Sequence, residues 1–267
     1  MSNILIIKHG SLGDLIQANG AIKDIKKFYQ SRKVFLLTTQ PYAVFMSECP
    51  YIDGTIIDKR LPRWNLFYLN NLKKKLARYN FSKVFDLQNS NRTKFYKNFI
   101  LQNKEWSSSE TSLDSYKNIN NFNNLPVLDR MEDQLIKSGI KTEYVKNIDL
   151  SWAISEESRF IKQYANNEYI LMFPFCSKKH ENKKWPYFQE LIIKLKQDYK
   201  NKYPILIAPG PNELEEANEL NAKVVMNNNK PVNLKMLILL INKAKFIISN
   251  DTGPAHIASH LDKKGLV

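Results

Sequence analysis

The hydrophobic residues of this chain fall into short runs that alternate with longer segments of helical periodicity. In the first half, four apolar runs predict buried strands over residues 4–7, 33–38, 54–58 and 83–87. Apolar positions three or four residues apart predict helices after these strands, over residues 14–29, 41–48, 64–79 and 92–101. Regular alternation of strand and helix is typical of a parallel sheet covered by helices. The first half therefore predicts an α/β domain.

The second half repeats this alternation after a less regular stretch. Residues 107–124, rich in Ser and Asn, predict a long loop, and helices are predicted over residues 128–138 and 156–165. The strands predicted after this stretch cover residues 169–173, 205–208, 223–225 and 246–249. The helices predicted between and after them cover residues 187–199, 213–220, 234–244 and 254–261. A junction near residues 150–167 divides the chain into domains 1–152 and 153–267, and we expect ligands in a cleft between the carboxyl ends of the two sheets.

The end of the chain predicts an incomplete domain. Residues 265–267, Gly-Leu-Val, look like the first residues of another buried strand. Because an α/β domain does not normally end within a strand, we expect the second domain to lack its last strand and helix.

Composition limits the class of protein. A chain of 267 residues with 43% hydrophobic residues can bury a core. Its two cysteines, Cys49 and Cys176, form no disulfide framework, which favours a reducing compartment. No apolar run is long enough to span a membrane, and residues 4–7 are too short for a signal-peptide core. These features predict a cytoplasmic protein.

The net charge of +14 favours an anionic partner. Nucleic acid, an anionic membrane surface and a phosphorylated substrate all fit that charge. Lys, Asn and Ile are abundant throughout, so much of the charge can also be solvated surface. We expect no nucleic-acid binding, because no known nucleic-acid module and no basic stripe with interleaved stacking aromatics is recognisable.

A candidate phosphate site lies where the apolar run 246–249 leads through Asn-Asp-Thr-Gly into a predicted helix. Backbone N–H groups, the helix dipole and the Thr252 hydroxyl suit a bound phosphate at such a place. Gly253 lets a ligand approach the backbone, and Asp251 or Thr252 can cap the helix. An ordinary capped helix explains the same residues, so this segment alone leaves both interpretations open.

Three other turns between a strand and a helix carry candidate residues. Asp14 ends the turn Lys-His-Gly-Ser-Leu-Gly-Asp and faces the expected cleft, unless it only complements the helix dipole. Lys183 precedes Lys-Trp-Pro and can reach a diphosphate, unless it is a solvated surface lysine. Glu213 follows Ala-Pro-Gly-Pro-Asn and can accept hydrogen bonds from ribose hydroxyls, unless it too only complements a helix.

His256 and His260 have a spacing that can bind zinc on a helix. No third ligand is placed by the sequence, so we expect no metal site. His256 lies one turn into the predicted helix and is better interpreted as a hydrogen-bond donor to the ligand.

Seven segments together carry a resemblance that extends over nearly the whole chain. They are Ile-Ile-Lys-His-Gly-Ser-Leu-Gly-Asp at 6–14, Val-Phe-Asp-Leu-Gln at 84–88 with Arg92, Asp-Arg-Met-Glu-Asp-Gln-Leu at 129–135 with Gly139 and Ile140, Pro174 with Ser177, Lys-Lys-Trp-Pro at 183–186, Gly-Pro-Asn-Glu at 210–213, and Asn-Asp-Thr-Gly-Pro-Ala-His at 250–256. In this order they resemble glycosyltransferase family 9, the ADP-heptose:lipopolysaccharide heptosyltransferases. The chain departs from the family in a longer loop between Ser177 and Lys183 and in Phe175 and Cys176, where small residues are expected.

The resemblance implies a GT-B architecture of two facing Rossmann-like domains. Domain 1–152 would bind the acceptor, and domain 153–267, incomplete at its end, would bind the nucleotide sugar. Asp14 would be the general base. Lys183, the amides of Thr252 and Gly253, and His256 would stabilise the departing diphosphate without a metal or other cofactor.

The resemblance also implies further binding contacts. They involve Ser11 and Gly13 beside the base, Ser177, Glu213 at the ribose, and Asp251 at a hydroxyl of the donor sugar. The basic helix predicted over 64–79, with Arg60 and Arg63, would meet a phosphorylated lipid acceptor, unless it is an ordinary solvated helix face.

These implications predict an inverting, metal-independent glycosyltransferase that transfers a sugar, heptose from ADP-heptose, to a lipopolysaccharide core or a related surface glycan. We expect a monomer that is cytoplasmic or peripheral at the inner membrane face, with a lipid-linked or phosphorylated acceptor. A non-catalytic nucleotide-sugar-binding protein, a truncated inactive homologue, an electrostatic nucleic-acid binder and a different enzyme on the same scaffold stay open as alternatives.

Overall fold

The protein folds as two compact α/β units, Met1–Trp152 and Ala153–Val267. The computed structural model describes residues 1–112, 122, 124–154, 158–164 and 168–267. Each unit contains one five-stranded sheet in which every pair of neighbouring strands is parallel. Within these ranges, no helix combines the length and apolar character needed to cross a membrane.

The N-terminal unit has the strand order β3-β2-β1-β4-β5. Its strands are β1 Asn3–Ile7, β2 Val34–Thr38, β3 Gly54–Ile57, β4 Phe81–Asp86 and β5 Glu105–Ser107. Its described helices are α1 Leu12–Gln17, α2 Asn19–Phe28, α3 Gln40–Met46, α4 Leu66–Ala77, α5 Asn91–Phe99, α6 Ser109–Ser112 and α7 Val127–Lys137. The central β1 is buried on both faces, which explains why its four isoleucine and leucine residues read as a continuous apolar run.

Helix α4 shows how the apolar pattern positions an element of this unit. Leu69, Leu72 and Leu76 are spaced three and four residues apart and are buried in the core under β1, β2 and β4. Asn65 caps the helix, because its side-chain oxygen accepts a hydrogen bond of 2.9 Å from the Tyr68 N–H.

The C-terminal unit has the strand order β10-β9-β6-β7-β8. Its strands are β6 Ile170–Phe173, β7 Ile205–Ile207, β8 Lys223–Val224, β9 Phe246–Ser249 and β10 Gly265–Leu266. Its described helices are α8 Ser158–Lys162, α9 Phe188–Asp198, α10 Leu214–Glu219, α11 Leu234–Lys243 and α12 Gly253–His260. A 3-10 segment, Lys178–Lys183, follows β6, and another, Ser151–Ala153, spans the junction of the two units. In both units the carboxyl ends of the strands share one edge of the sheet, and the turns that carry the candidate residues follow those ends.

Three sequence predictions need correction. The helix expected over 14–29 is two helices, α1 and α2, which meet at Ala18. The loop expected over 107–124 begins at the end of β5 and contains α6, while residues 113–121 and 123 lie outside the described part. Strand β5 forms through its pairing with β4, because its own sequence, Glu-Trp-Ser, contains no apolar run. Residues 265 and 266 do form a strand, but Leu266 is 62% exposed instead of buried.

Candidate functional site

The C-terminal unit gathers its candidate residues after two neighbouring strands, β6 and β9. Asn250, the first residue after β9, joins the segments there. Its backbone N–H donates to the Phe173 carbonyl at 3.1 Å, and its side-chain amide donates to the Pro174 carbonyl at 2.8 Å. Its side-chain oxygen accepts a hydrogen bond of 3.1 Å from the Trp185 N–H. Asn250 is buried, so it holds the turn after β6, the turn after β9 and the residues that follow Lys183 in one arrangement.

A cluster of charges lies on this scaffold. The Lys183 ammonium is 2.5 Å from one carboxylate oxygen of Asp251, and His256 Nε2 is 3.9 Å from the other. The hydrogen bond from Lys183 lowers the pKa of Asp251, although burial alone would raise it. Both members of the Lys183–Asp251 pair are exposed, so the pair costs little to open.

The start of α12 has the geometry of an anion site. Thr252 occupies the N-cap position, and its hydroxyl donates to the Asn250 carbonyl at 3.2 Å. Gly253 and Pro254 are the first two helical residues. Among the described residues, nothing accepts a hydrogen bond from the N–H of Thr252 or Gly253, and Pro254 has no N–H. Two donors and the positive end of the helix dipole are therefore directed at one place.

Two other predicted donor contacts lie near the same edge. Ser177 is exposed and precedes the 3-10 segment Lys178–Lys183, which lies where the sequence analysis expected the longer loop between Ser177 and Lys183. Glu213 follows β7, and one of its carboxylate oxygens accepts a hydrogen bond of 2.6 Å from the Gly210 N–H. Burial raises the pKa of Glu213, and this hydrogen bond opposes the shift. The structure thus brings Lys183, Asp251, Thr252, Gly253 and His256 into one cluster, while Glu213 follows the neighbouring strand.

The N-terminal unit places Asp14 in the first turn of α1. One carboxylate oxygen accepts hydrogen bonds of 3.0 Å from both the N–H and the hydroxyl of Ser11. Ser11 is exposed and Asp14 is half-buried. Gly13, which lies between them in the sequence, is buried. The carboxylate is thereby held in one orientation at the carboxyl edge of the sheet.

The turn before Asp14 requires glycine at one position. Gly10 has φ +103°, and a Cβ there would lie 2.3 Å from the ring of Tyr42. Burial raises the pKa of Tyr42, and the charge of Asp14 raises it further. Burial also lowers the pKa of Lys8, and the carboxylates of Asp14 and Asp86 oppose that shift. A buried amine and an aromatic ring therefore surround the turn that carries Asp14.

A buried polar network that the sequence analysis missed supports this edge. The carboxylate of Asp58, the first residue after β3, lies 2.8 Å from His9 Nε2 and accepts hydrogen bonds from the hydroxyls of Tyr96, at 2.8 Å, and Tyr68. Arg92 donates to Tyr96 at 3.1 Å. Burial alone would raise the pKa of Asp58, but the hydrogen bonds from His9, Tyr68 and the Arg60 backbone outweigh it and lower the pKa to about 2. Asp58 and Asn250 share a signal visible in the sequence, a polar residue directly after a buried strand.

This network gives a stability prediction. Because the pKa of Asp58 is lower in the folded than in the unfolded chain, the ionised carboxylate stabilises the fold above about pH 4, and that contribution disappears as the pH falls towards 2. We expect Asp58→Asn to lose about 2 kcal/mol of pH-dependent stability. Urea unfolding at pH values from about 6 down to about 3 should show the wild type and the variant converging.

The matched control for this experiment is Asp198→Asn. Asp198 is an exposed carboxylate paired with Lys194 on α9, so its replacement should change stability little at any pH. A constant difference between wild type and Asp58→Asn across the whole pH range would contradict the ionised network.

A metal site is not formed by the described residues: their His, Cys, Asp and Glu side chains include no group of three that could hold a metal ion. His256 and His260 both lie on α12, and His256 faces Asp251. Burial lowers the pKa of His260, and the charge of His256 lowers it further.

Comparison with known proteins relates most of the chain to one family. The model of glycosyltransferase family 9 (heptosyltransferase) matches residues 69–266, which includes the C-terminal cluster but not the turn with Asp14. Comparison with curated proteins found no match.

Solved structures share the fold over nearly the whole chain. The E. coli heptosyltransferase WaaC with ADP-2-deoxy-2-fluoro heptose matches with a TM-score of 0.71 and 18% identity, covering 98% of this chain and 87% of that chain. A family 9 glycosyltransferase from Veillonella parvula matches with a TM-score of 0.75 and 17% identity, covering 99% and 79%. E. coli ADP-heptose lipopolysaccharide heptosyltransferase II matches with a TM-score of 0.70 and 15% identity, covering 98% and 83%. The two α/β units thus have the GT-B fold.

Proposed function

The chain belongs to glycosyltransferase family 9, and from that premise we propose that this glycosyltransferase transfers a heptose from ADP-heptose, with inversion, to a lipopolysaccharide core or a related surface glycan. One observation carries the proposal: the Lys183 ammonium pairs with Asp251, the residue before the start of α12, where no described residue accepts a hydrogen bond from the N–H of Thr252 or Gly253. Such donors suit a diphosphate that gains negative charge as it departs. The choice of donor follows the similar WaaC structure, which holds an ADP-heptose analogue.

The donor binds at the carboxyl edge of the C-terminal sheet. Lys183 exchanges Asp251 for the diphosphate, since the pair is exposed and easily opened. Asp251 is then free to orient a hydroxyl of the sugar. The second carboxylate oxygen of Glu213 accepts from the ribose, while the first stays bound to Gly210. Ser177, which precedes the 3-10 segment Lys178–Lys183, and His256 add further hydrogen bonds to the donor. No metal ion or other cofactor has a role in this proposal.

The acceptor binds at the carboxyl edge of the N-terminal sheet, where Asp14 acts as the base. Its carboxylate takes the proton of the acceptor hydroxyl as the oxygen attacks the anomeric carbon. The new glycosidic bond forms on the face opposite to the bond that breaks, and the departing ADP keeps the electron pair of the broken bond. Ser11 holds the carboxylate in position through two hydrogen bonds. We propose Gly13, the residue directly before Asp14, as a further contact of the same turn.

The proposal is tested first by ligand-induced stabilisation and then by turnover. We expect ADP-heptose to raise the unfolding temperature more than ADP-glucose or a uridine diphosphate sugar, since binding at 100 times the Kd adds about 2.7 kcal/mol of stability. Incubation with an acceptor from a heptose-deficient strain should then release ADP. Stabilisation without any turnover would favour a non-catalytic nucleotide-sugar-binding protein. Equal stabilisation by all the nucleotide sugars would contradict the choice of donor.

The assembly and location of the protein stay proposals as well. We propose a monomer that acts at the inner face of the cytoplasmic membrane on a lipid-linked or phosphorylated acceptor. Light scattering at several protein concentrations would test the monomer.

A further inference from the structure

One stretch of the N-terminal unit combines a strong positive charge with exposed apolar side chains. This docking segment, residues 59–78, contains no acidic residue. Its seven basic residues are Lys59, Arg60, Arg63, Lys73, Lys74, Lys75 and Arg78. All seven are exposed, and none of the ion pairs between described residues involves them.

Three large apolar side chains project from the same segment. Trp64, Leu66 and Phe67 are 80%, 74% and 79% exposed. They lie at the start of α4, whose opposite face is buried in the core through Leu69 and Leu72. The exposed residues therefore do not belong to the stripe that holds the helix on the sheet.

Hydrogen bonds hold the first half of the docking segment in place, so the exposure of Trp64, Leu66 and Phe67 does not result from fraying of the chain. The Arg60 N–H donates to Asp58 at 2.7 Å, and Arg92 donates to the Leu61 carbonyl at 2.9 Å. In the middle of the segment, directly after Phe67, Tyr68 donates to the same buried Asp58. Trp64, Leu66 and Phe67, the apolar tip of the docking segment, thus lie between residues that are hydrogen-bonded to the buried Asp58 network.

We propose that the docking segment binds the surface of an anionic lipid bilayer, with Trp64, Leu66 and Phe67 inserted at the level of the headgroups. Aromatic and aliphatic side chains beside lysines and arginines are the composition that lies in a membrane interface. The basic residues of α4 begin about 10 Å along the helix from the apolar tip, so they can meet headgroups while the tip inserts. Each Lys or Arg near such a surface strengthens binding about fivefold.

The position of the docking segment relates membrane binding to the proposed acceptor site. It follows the carboxyl end of β3, at the same edge of the sheet as the turn with Asp14 after β1. A membrane held at the docking segment therefore lies at the edge where the acceptor would bind. This consequence depends on the proposed function, whereas docking itself does not.

Flotation of the full chain with vesicles tests the proposal without any sugar substrate. We expect binding to vesicles of phosphatidylglycerol and phosphatidylcholine to be at least about tenfold tighter than to phosphatidylcholine alone at physiological salt. The variants K73Q/K74Q/K75Q and W64S/L66S/F67S should each bind the anionic vesicles at least about tenfold more weakly.

The chain offers matched controls for both variants. K141Q/K200Q/K230Q removes three exposed lysines elsewhere, and F28S/V44S removes two apolar side chains that are 54% and 69% exposed. Both controls should bind vesicles within about twofold of the wild type, because neither changes the docking segment. Unchanged unfolding temperatures and unchanged stabilisation by ADP would show that all variants are folded.

Insertion has its own readout in Trp64, one of four tryptophans. Brominated lipids should quench the tryptophan fluorescence of the wild type, and W64F should bind the same vesicles with most of that quenching lost.

Equal binding to neutral and anionic vesicles, or equal loss of binding in the matched controls, would overturn the proposal. It would also be overturned if the segment bound oligonucleotides in preference to vesicles, or if W64S/L66S/F67S dissociated a dimer. Failure of sugar transfer with intact vesicle binding would instead count against the proposed function alone.

Discussion

Asp14→Asn is expected to lower the rate of sugar transfer about 10²- to 10⁴-fold, because the amide cannot take the proton of the attacking hydroxyl. The side chain keeps its shape and can still accept hydrogen bonds from Ser11, so the turn should be preserved. Binding of ADP-heptose should stay nearly unchanged, since Asp14 belongs to the N-terminal unit. Rates under saturating donor, together with donor affinity from calorimetry, separate the two effects.

Asp129→Asn is the matched control for the base. Asp129 also lies in the first turn of a helix of the N-terminal unit, α7, and pairs there with Lys146. Its replacement should leave the rate within about twofold of the wild type, as for an exposed ion pair. Near-normal turnover by Asp14→Asn would remove Asp14 as the base, whatever the control shows.

Lys183→Ala is expected to lower the rate of transfer about 10²- to 10³-fold, by analogy with the loss of one oxyanion-hole donor. The physical reason is that negative charge grows on the diphosphate as it departs, and a cation positioned there stabilises the transition state more than the bound donor. The affinity for ADP should fall as well, because ADP carries the same diphosphate. Single-turnover rates and ADP titrations measure the two quantities.

The neighbouring Lys184 provides the control for Lys183. Lys184 forms its own exposed ion pair with Glu216, so Lys184→Ala removes the same charge from the same segment. The Lys184→Ala variant should change the rate little.

Asp251→Asn adds a second test of Lys183, because it removes the carboxylate that pairs with the ammonium. ADP should then bind more tightly, while the sugar loses its orienting carboxylate. Equal rates for Lys183→Ala and Lys184→Ala would contradict the role of Lys183 as the diphosphate cation.

The motif-bearing turns could be located from the sequence because each follows a strongly apolar strand. The strand β9 and the helix α12 were predicted within one residue of their observed bounds. The ion pair between Lys183 and Asp251 could not be predicted, because 68 residues separate them and only the pairing of β6 with β9 brings their turns together. Asn250 was part of a recognised motif, but its link to Trp185 depends on the same pairing.

Local patterns were least informative where tertiary contacts determine the structure. Strand β5 forms because the edge of β4 accepts it, although Glu-Trp-Ser has little strand character of its own. The Asp58 network is similar: Asp58, Tyr68 and Tyr96 each look like ordinary residues of their own element, and only the sheet order places them around His9.

By itself the sequence determined the alternation of strands and helices, the family, and the turns where chemistry can occur, since hydrophobic periodicity and short motifs are local properties of a chain. The tertiary structure alone decided which turns become neighbours, which carboxylates are paired or buried, and which apolar residues stay exposed. Those properties arise from strand order and packing between distant residues, and no window of sequence contains them.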